Sequence, residues 1–212
     1  MKYHHSSLIY FITQGHIIYV VYFFYQEVII INILIIDSGV NIPTIESINY
    51  VPYEDSTDYL NHGTVIAKII TTINPQANIY SAKVVDRGGS TVNDKLAQAL
   101  LYALTHNIDI INVSLGLPSY SDTIQDIINK LAKRGVIIIA AAGNKEETMY
   151  PALYNNVISA GATDDKGNIE PYSAPADVYT YGTVTINDIN YTGTSYSTAI
   201  ITGILSRGGY KE

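Results

Sequence analysis

Four polar side chains of this sequence carry the groups that acyl transfer requires. Asp37 ends an apolar run, His62 opens an amphipathic stretch, Asn144 ends a second apolar run and Ser195 lies two residues after a glycine. A serine hydroxyl is a weak nucleophile unless a general base lies within hydrogen-bond distance and a third group orients that base. The set therefore predicts Ser195 as nucleophile, His62 as general base and Asp37 as the carboxylate that orients the imidazole.

Asn144 adds an amide donor, which stabilises the negative oxygen of a tetrahedral intermediate when it is aimed at that oxygen. The backbone N–H of Ser195, at the start of a helix, supplies a second donor. Taken singly, each residue has an ordinary explanation, since Ser and Asp often cap helices or occupy turns. The remaining histidines lie in irregular or linking segments and fit the role of base less well: His4, His5, His16 and His106.

Strands and helices alternate along the chain from residue 28 onwards. Apolar, β-branched runs predict strands, and apolar residues spaced three and four apart predict helices. Strands are expected at residues 28–36, 79–85, 108–115, 136–142 and 157–162. Helices are expected from Asn61, over residues 93–105, from a cap at Asp122 and after Gly193, with turns over residues 43–58 and extended segments over residues 178–189.

This alternation predicts an α/β fold with a mostly parallel central sheet and helices on both faces. In such sheets the ligand crevice lies at the carboxyl ends of the strands. Asp37, Ser114 and Asn144 each fall at or just beyond the end of a predicted strand. We therefore expect them to share one edge of the sheet.

Composition sets the class of protein. The chain has 212 residues, 47% of them hydrophobic and 15% charged, which predicts one globular domain with a sizeable core. A net charge of -7 argues against nucleic acid as a partner, because nucleic-acid-binding proteins carry a basic patch. The absence of cysteine excludes disulfides and thiolate metal sites. The sequence leaves the oligomeric state open.

Residues 1–27 form an N-terminal extension of unclear role, ahead of a domain over residues 28–212. Residues 8–25 are apolar and aromatic but are interrupted by polar residues and a glycine. They have neither a cleavage site of the signal-peptide kind nor the full length of a membrane span. The extension is interpreted as a membrane anchor, an extra strand or a segment outside the domain proper.

Five short segments resemble the signatures of the subtilisin-like serine proteases, the subtilases. They are IIDSG at 35–39, HGT at 62–64, NVSLG at 112–116, AAAGN at 140–144 and GTS at 193–195. The segments YPA at 150–152 and VISAGA at 157–162 are also similar to that family. The resemblance runs from about residue 28 to residue 203.

The resemblance implies a three-layer subtilisin-like fold and a serine endopeptidase that acts on peptides or proteins without a cofactor. Its triad roles fall on Asp37, His62 and Ser195, and its oxyanion role on Asn144. It also implies that one segment pairs with the substrate backbone and that a second walls the pocket for the residue before the cut. Those substrate-binding residues are Ser114, Leu115 and Gly116, and Ala141, Ala142 and Gly143.

Some positions depart from the family pattern. Residues 64–67 lack the second histidine that usually follows the first, and Ala199 stands where the nucleophile's helix usually has proline. Neither change removes a catalytic group, so two alternatives stay open: a catalytically silent peptide-binding protein, and a peptide ligase or cyclase. Only five residues separate Ile73 from Ile79, so we expect no metal site of the calcium-loop kind that many subtilisins carry there.

Chain length suggests a restricted role. Only 36 residues precede Asp37 and 17 follow Ser195, so we expect a short catalytic domain that processes a peptide or precursor, most simply in the cytoplasm, with membrane-associated or secreted locations as alternatives. Acidic residues lie near His62 and Asn144 and either attract basic substrates or form a solvated surface: Glu54, Asp55, Asp58, Glu146 and Glu147. The order Asp, His, Ser excludes an α/β-hydrolase, in which the order is Ser, Asp, His. A nucleotide-binding domain is not expected either, because no glycine-rich phosphate loop follows the first predicted strand.

Overall fold

The computed structural model describes residues 9–14, 17–22 and 30–208, with only the backbone given for the first two ranges. Two compact units divide the chain, one of residues 1–29 with 208–212 and one of residues 30–207. In the first unit, β1 (Ile9–Gln14) pairs with β2 (Ile17–Tyr22) as an antiparallel hairpin. His4, His5 and His16 lie outside the described residues, as does part of the proposed membrane segment at residues 8–25.

The second unit is built on a seven-stranded sheet in which every neighbouring pair is parallel. Its strands are β3 (Asn32–Asp37), β4 (Glu46–Asn49), β5 (Asn78–Lys83), β6 (Ile110–Val113), β7 (Ile137–Ala141), β8 (Ile158–Thr163) and β9 (Val178–Tyr181). Their order in the sheet is β4-β5-β3-β6-β7-β8-β9. The buried, apolar strands β3, β6 and β7 lie in the centre of this order, where helices cover both faces of the sheet.

Four helices cover the two faces of this sheet: α1 (His62–Ile73), α2 (Asn93–Thr105), α3 (Asp122–Lys133) and α4 (Thr194–Ser206). Helices α1 and α4 pack against each other on one face, and α2 packs against α3 on the other. A short hairpin of β10 (Thr183–Ile186) and β11 (Ile189–Thr192) precedes α4. Among the helices of the described residues, none has the length and apolar character of a membrane span.

The three-layer α/β fold expected from the sequence is confirmed, and the differences are local. The first strand of the second unit begins at Asn32, whereas the sequence pattern predicted a start at residue 28. Residue 28 and the predicted domain boundary after residue 27 both lie outside the described residues. That boundary stays a prediction. Residues 43–58 contain β4, a polar edge strand that carries no apolar alternation. Helix α3 is capped by Ser121, whose Oγ accepts from the N–H of Ile124, while Asp122 is its first residue.

A buried ion pair fixes the loop between β4 and α1. Lys83, at the end of β5, is 1% exposed, and its Nζ lies 2.8 Å from Glu54 Oε2 and donates to Thr57 O at 2.6 Å. Arg87 Nε donates to the other oxygen of Glu54 at 3.1 Å. The hydrogen bond from Lys83 is the main reason that the pKa of Glu54 falls to about 2. Glu54 is thus paired within the fold and is not a free charge for basic substrates.

Replacing Glu54 with Gln should lower the free energy of unfolding at neutral pH, because the buried ammonium of Lys83 loses its countercharge. The depressed pKa makes this contribution complete above 4.5, the ordinary value, and removes it as the pH falls to about 2. Urea unfolding across that range should show the two proteins converging in stability. Glu146→Gln, at an exposed position, is the control. A gap between wild type and Glu54→Gln that is independent of pH would contradict this account.

Candidate active site

Asp37 lies at the carboxyl end of β3, where the parallel sheet opens to the site. The strand is apolar between Asn32 and Asp37 because both its faces are covered, so the chain returns to a polar residue only where the strand ends. The side chain is 2% exposed, and Oδ1 accepts from the backbone N–H of Ser38 at 2.7 Å. The carboxylate is held in one orientation beneath the site.

His62 is the first residue of α1, and its Nδ1 lies 2.7 Å from Asp37 Oδ1. A carboxylate only accepts, so Nδ1 carries the proton and Nε2 keeps its lone pair. Close approach of strand and helix requires Gly63, because a Cβ there would collide with the carbonyl oxygen of Gly39 and lie 3.0 Å from Asp37 Cβ. The histidine and aspartate are brought together as predicted.

The pKa of His62 is raised above 6.5. The negative charge of Asp37 is the main cause; burial of the ring opposes it, and the hydrogen bond to Asp37 and the charge of Asp58 add to it. The imidazole side chain is 30% exposed, so one edge faces the crevice while the other is held by the carboxylate. Such a ring accepts a proton more readily than a free histidine does.

Asp58 is a second buried carboxylate, 4% exposed, which joins the end of β3 to the start of α1. Its Oδ1 accepts from Ser38 Oγ at 2.8 Å, and its Oδ2 accepts from the N–H and Oγ1–H of Thr64 at 2.8 and 2.6 Å. Ser38 Oγ in turn accepts from the N–H of Gly63 at 3.2 Å. The interpretation of Asp58 as a surface charge that attracts substrate is wrong, because the group is buried and fully engaged in this network.

Ser195 is the second residue of α4 and is partly exposed. Its Oγ donates to Ser114 O at 3.3 Å, and Ser114 Oγ donates to Ser195 O at 3.2 Å. The His62 ring lies at the same end of α4, 5.8 Å from the ring of Tyr196. Within the described residues, no hydrogen bond joins Ser195 to His62, so reaching the imidazole requires rotation of the serine side chain.

Asn144 follows β7 and contacts the turn before the serine. Its Oδ1 accepts from the N–H and Oγ1–H of Thr194 at 2.9 and 3.1 Å, which leaves its Nδ2 group as the free donor. Gly193 has φ 152°, and a Cβ there would lie 3.1 Å from Asn144 Nδ2. Sequence reasoning assigned no role to Thr194, although the motif of residues 193–195 contains it.

The two predicted substrate-binding segments differ in what they offer. The backbone groups of Leu115 and Gly116 take part in none of the hydrogen bonds of the described residues, so they are free to pair with an extended peptide. Ala141 and Ala142 are buried in the sheet, and Gly143 is partly exposed. Of the second segment, only Gly143 therefore reaches the open side. Ala199 is fully buried in α4.

Comparison with known proteins identifies the family of this chain. Residues 33–207 match the family described as "Subtilase family" (Peptidase_S8). Subtilisin Savinase of Lederbergia lenta is 35% identical over 164 residues, which are 70% of this chain and 60% of that protein. M-protease of Shouchella clausii (strain KSM-K16) is 34% identical over 179 residues, which are 74% of this chain and 47% of that protein.

The Minor extracellular protease Epr of Bacillus subtilis (strain 168) is 34% identical over 164 residues, which are 69% of this chain and 25% of that protein. The chain thus spans between a quarter and three fifths of the length of these relatives. The family match covers the sheet from β3 onwards, all four helices and every predicted site residue. The chain belongs to the subtilase family.

Proposed function

We propose that this protein is a serine endopeptidase that cleaves peptide bonds through an acyl-enzyme. The observation that supports this most is the buried hydrogen bond of 2.7 Å between Asp37 and His62. It orients a general base and leaves Nε2 of that base free to accept a proton. The printed names of the relatives, which are proteases and subtilisins, agree with this activity.

The first half of the reaction forms an ester with the enzyme. After rotation about its Cα–Cβ bond, Ser195 donates its hydroxyl proton to His62 Nε2 while Oγ bonds to the peptide carbonyl carbon. The carbonyl oxygen gains the electron pair and is stabilised by Asn144 Nδ2 and the backbone N–H of Ser195. His62 then gives the proton to the leaving amine, the C–N bond breaks, and the acyl group stays on the serine.

The second half reverses these roles with water as the nucleophile. Water gives a proton to His62 Nε2 and attacks the ester carbon, and Ser195 leaves with that proton. Asp37 stays ionised throughout and stabilises the imidazolium in both halves. Thr194 holds Oδ1 of Asn144, which leaves the Nδ2 group available as the donor that this role requires.

Two narrower parts of the proposal concern substrate and location. We infer processing of a restricted set of peptides, because Met149 crowds the crevice beside Ser195 by lying against Gly116 and Gly143.

The expected cytoplasmic location gains no support from the relatives, because the Bacillus subtilis protein is extracellular by name. Membrane association through residues 8–25 stays a prediction.

A fluorophosphonate probe tests the proposed activity. We expect the folded protein to be phosphonylated at Ser195, with the adduct located by mass spectrometry, because the probe reacts with activated serine nucleophiles. The variant Ser195→Ala should lose the label, and Ser197→Ala, which removes a buried hydroxyl two residues along the same helix, should keep it. A folded wild-type protein that takes up no label would favour a silent peptide-binding protein instead.

Activity should rise with pH through a midpoint above 6.5, because only neutral His62 accepts a proton and its pKa is raised. Asp37→Asn removes the main cause of the increase, so the midpoint of the residual activity should move to lower pH. The measurement is kcat/KM against pH for both proteins. A midpoint that does not move in Asp37→Asn would contradict the assignment of that midpoint to His62.

Replacing Asp58 with Asn should act on stability and on the pH profile together. An amide donor in place of a carboxylate oxygen opposes the donors of Thr64, and breaking such a buried network costs roughly 1–3 kcal/mol. The charge that adds to the pKa of His62 is also lost, so the midpoint for activity should fall. Urea unfolding and the pH profile are the measurements.

Asp126→Asn is the control for Asp58→Asn, because it removes one exposed carboxylate from α3. It should leave both quantities nearly unchanged. If Asp58→Asn were as stable as wild type and had the same midpoint, Asp58 would have no part in positioning His62.

A further inference from the structure

A crevice lies between the chain segments that follow β6 and β7. The two strands pair in parallel as far as Val113 and Ala140. Beyond that register the parallel pairing stops, and the two segments meet again where Leu117 and Tyr150 exchange backbone hydrogen bonds. The stretch between these two pairings lies at the carboxyl end of the parallel sheet, where such folds form the crevice that binds ligands.

Both walls of this crevice contact the chain around Ser195. On one side, Ser114 O accepts from Ser195 Oγ at 3.3 Å. On the other, Gly143 N–H donates to Thr194 Oγ1 at 3.2 Å. A peptide whose carbonyl carbon lies at Ser195 Oγ must therefore place the side chain of that same residue between the two walls.

Met149 already occupies this space. Its Sδ lies 2.9 Å and its Cβ 3.2 Å from the point where a Cβ on Gly116 would be. Its Cγ lies 3.6 Å from the corresponding point on Gly143. One side chain thus touches both walls, and it packs against the bare backbone of Gly116 so closely that an added methyl group there would require the methionine to move.

The backbone of Met149 is held in place as well. Its N–H donates to Ala142 O at 2.9 Å, and the next residue, Tyr150, is paired with Leu117 in both directions, at 2.6 and 3.0 Å. The thioether is therefore carried into the crevice by a segment tied to both walls. Moving it out requires a change of rotamer in a half-buried side chain or the loss of these hydrogen bonds.

We infer that Met149 closes the crevice to large side chains, so that the residue supplying the scissile carbonyl is small: glycine, alanine or serine. This inference rests on the proposed function, since it assigns the substrate of that same site. It also gives a physical reason for restricted cleavage, because a peptide with a bulky residue at that position must displace the methionine before its carbonyl reaches Ser195.

Met149 also borders an open pocket. A cavity of about 560 Å³ is lined by Met149 together with Leu117, Tyr150 and Leu153, among others. Truncating Met149 should join this cavity to the crevice and give a large apolar side chain room to enter. The same substitution that relieves the obstruction should therefore create acceptance of phenylalanine.

Two peptides that differ only in the residue before the cleaved bond, alanine in one and phenylalanine in the other, test this. We expect wild type to cleave the alanine peptide with a kcat/KM at least about tenfold higher. Met149→Ala should change that ratio at least about tenfold in favour of phenylalanine. Met149→Leu, which keeps a side chain of similar volume, should retain the preference for alanine and serves as the matched control.

Three results separate the inference from the function on which it rests. Equal cleavage of both peptides by wild type, or an unchanged ratio in a Met149→Ala protein with wild-type circular dichroism, overturns the role of Met149 while Ser195-dependent cleavage upholds the protease. If Met149→Ala fails to fold, the ratio of kcat/KM for the alanine peptide to that for the phenylalanine peptide is compared between wild type and Met149→Gln, a polar side chain of similar length. A preference for alanine in both proteins upholds the inference, and equal cleavage of the two peptides in either protein overturns it. Absence of Ser195-dependent labelling and cleavage in every protein overturns the proposed function and this inference with it.

Discussion

The contact between Asp37 and His62 is the constraint on which the rest of the site depends. A strand end and a helix start must approach until a buried carboxylate reaches an imidazole, and the two small residues Gly39 and Gly63 permit this because no Cβ stands between them. A buried charge is costly unless it is paired and hydrogen-bonded. The imidazole and the backbone N–H of Ser38 meet this requirement at Oδ1, whereas the buried Oδ2 has no hydrogen-bond partner among the described residues.

The buried carboxylate of Asp58 extends this constraint outward. It fixes the first turn of α1 by accepting from the N–H of Thr64. The Lys83–Glu54 pair fixes the loop that leads to Asp58. The base is therefore positioned by a chain of charged and polar contacts that begins well away from the crevice. Thr194 orients Asn144 in a similar way, by donating to its Oδ1. The proposed base and the proposed oxyanion donor are therefore each oriented by a neighbouring side chain outside the proposed catalytic set.

Apolar periodicity and residue type are local signals, so the sequence alone predicted the four helices and the central strands and named four residues as a candidate site. It was insufficient where the decisive fact is a contact across the fold. Asp58 looked like a solvated acid, since nothing in its neighbourhood shows that Ser38 and Thr64 would enclose it. Met149 carried no signal, because only the folded chain brings it between Gly116 and Gly143. The polar strand β4 was missed because its pairing with β5, and not its composition, makes it a strand.

The central claim is that Ser195 and His62 act as one catalytic unit, and a double-mutant cycle tests it most directly. The measurement is kcat for Ser195→Ala, His62→Ala and the double variant on one peptide. If the residues act together, the double variant is about as slow as either single variant, because removing one already abolishes the function of the other. Losses that multiply in the double variant would show that the two residues work independently, which contradicts this account.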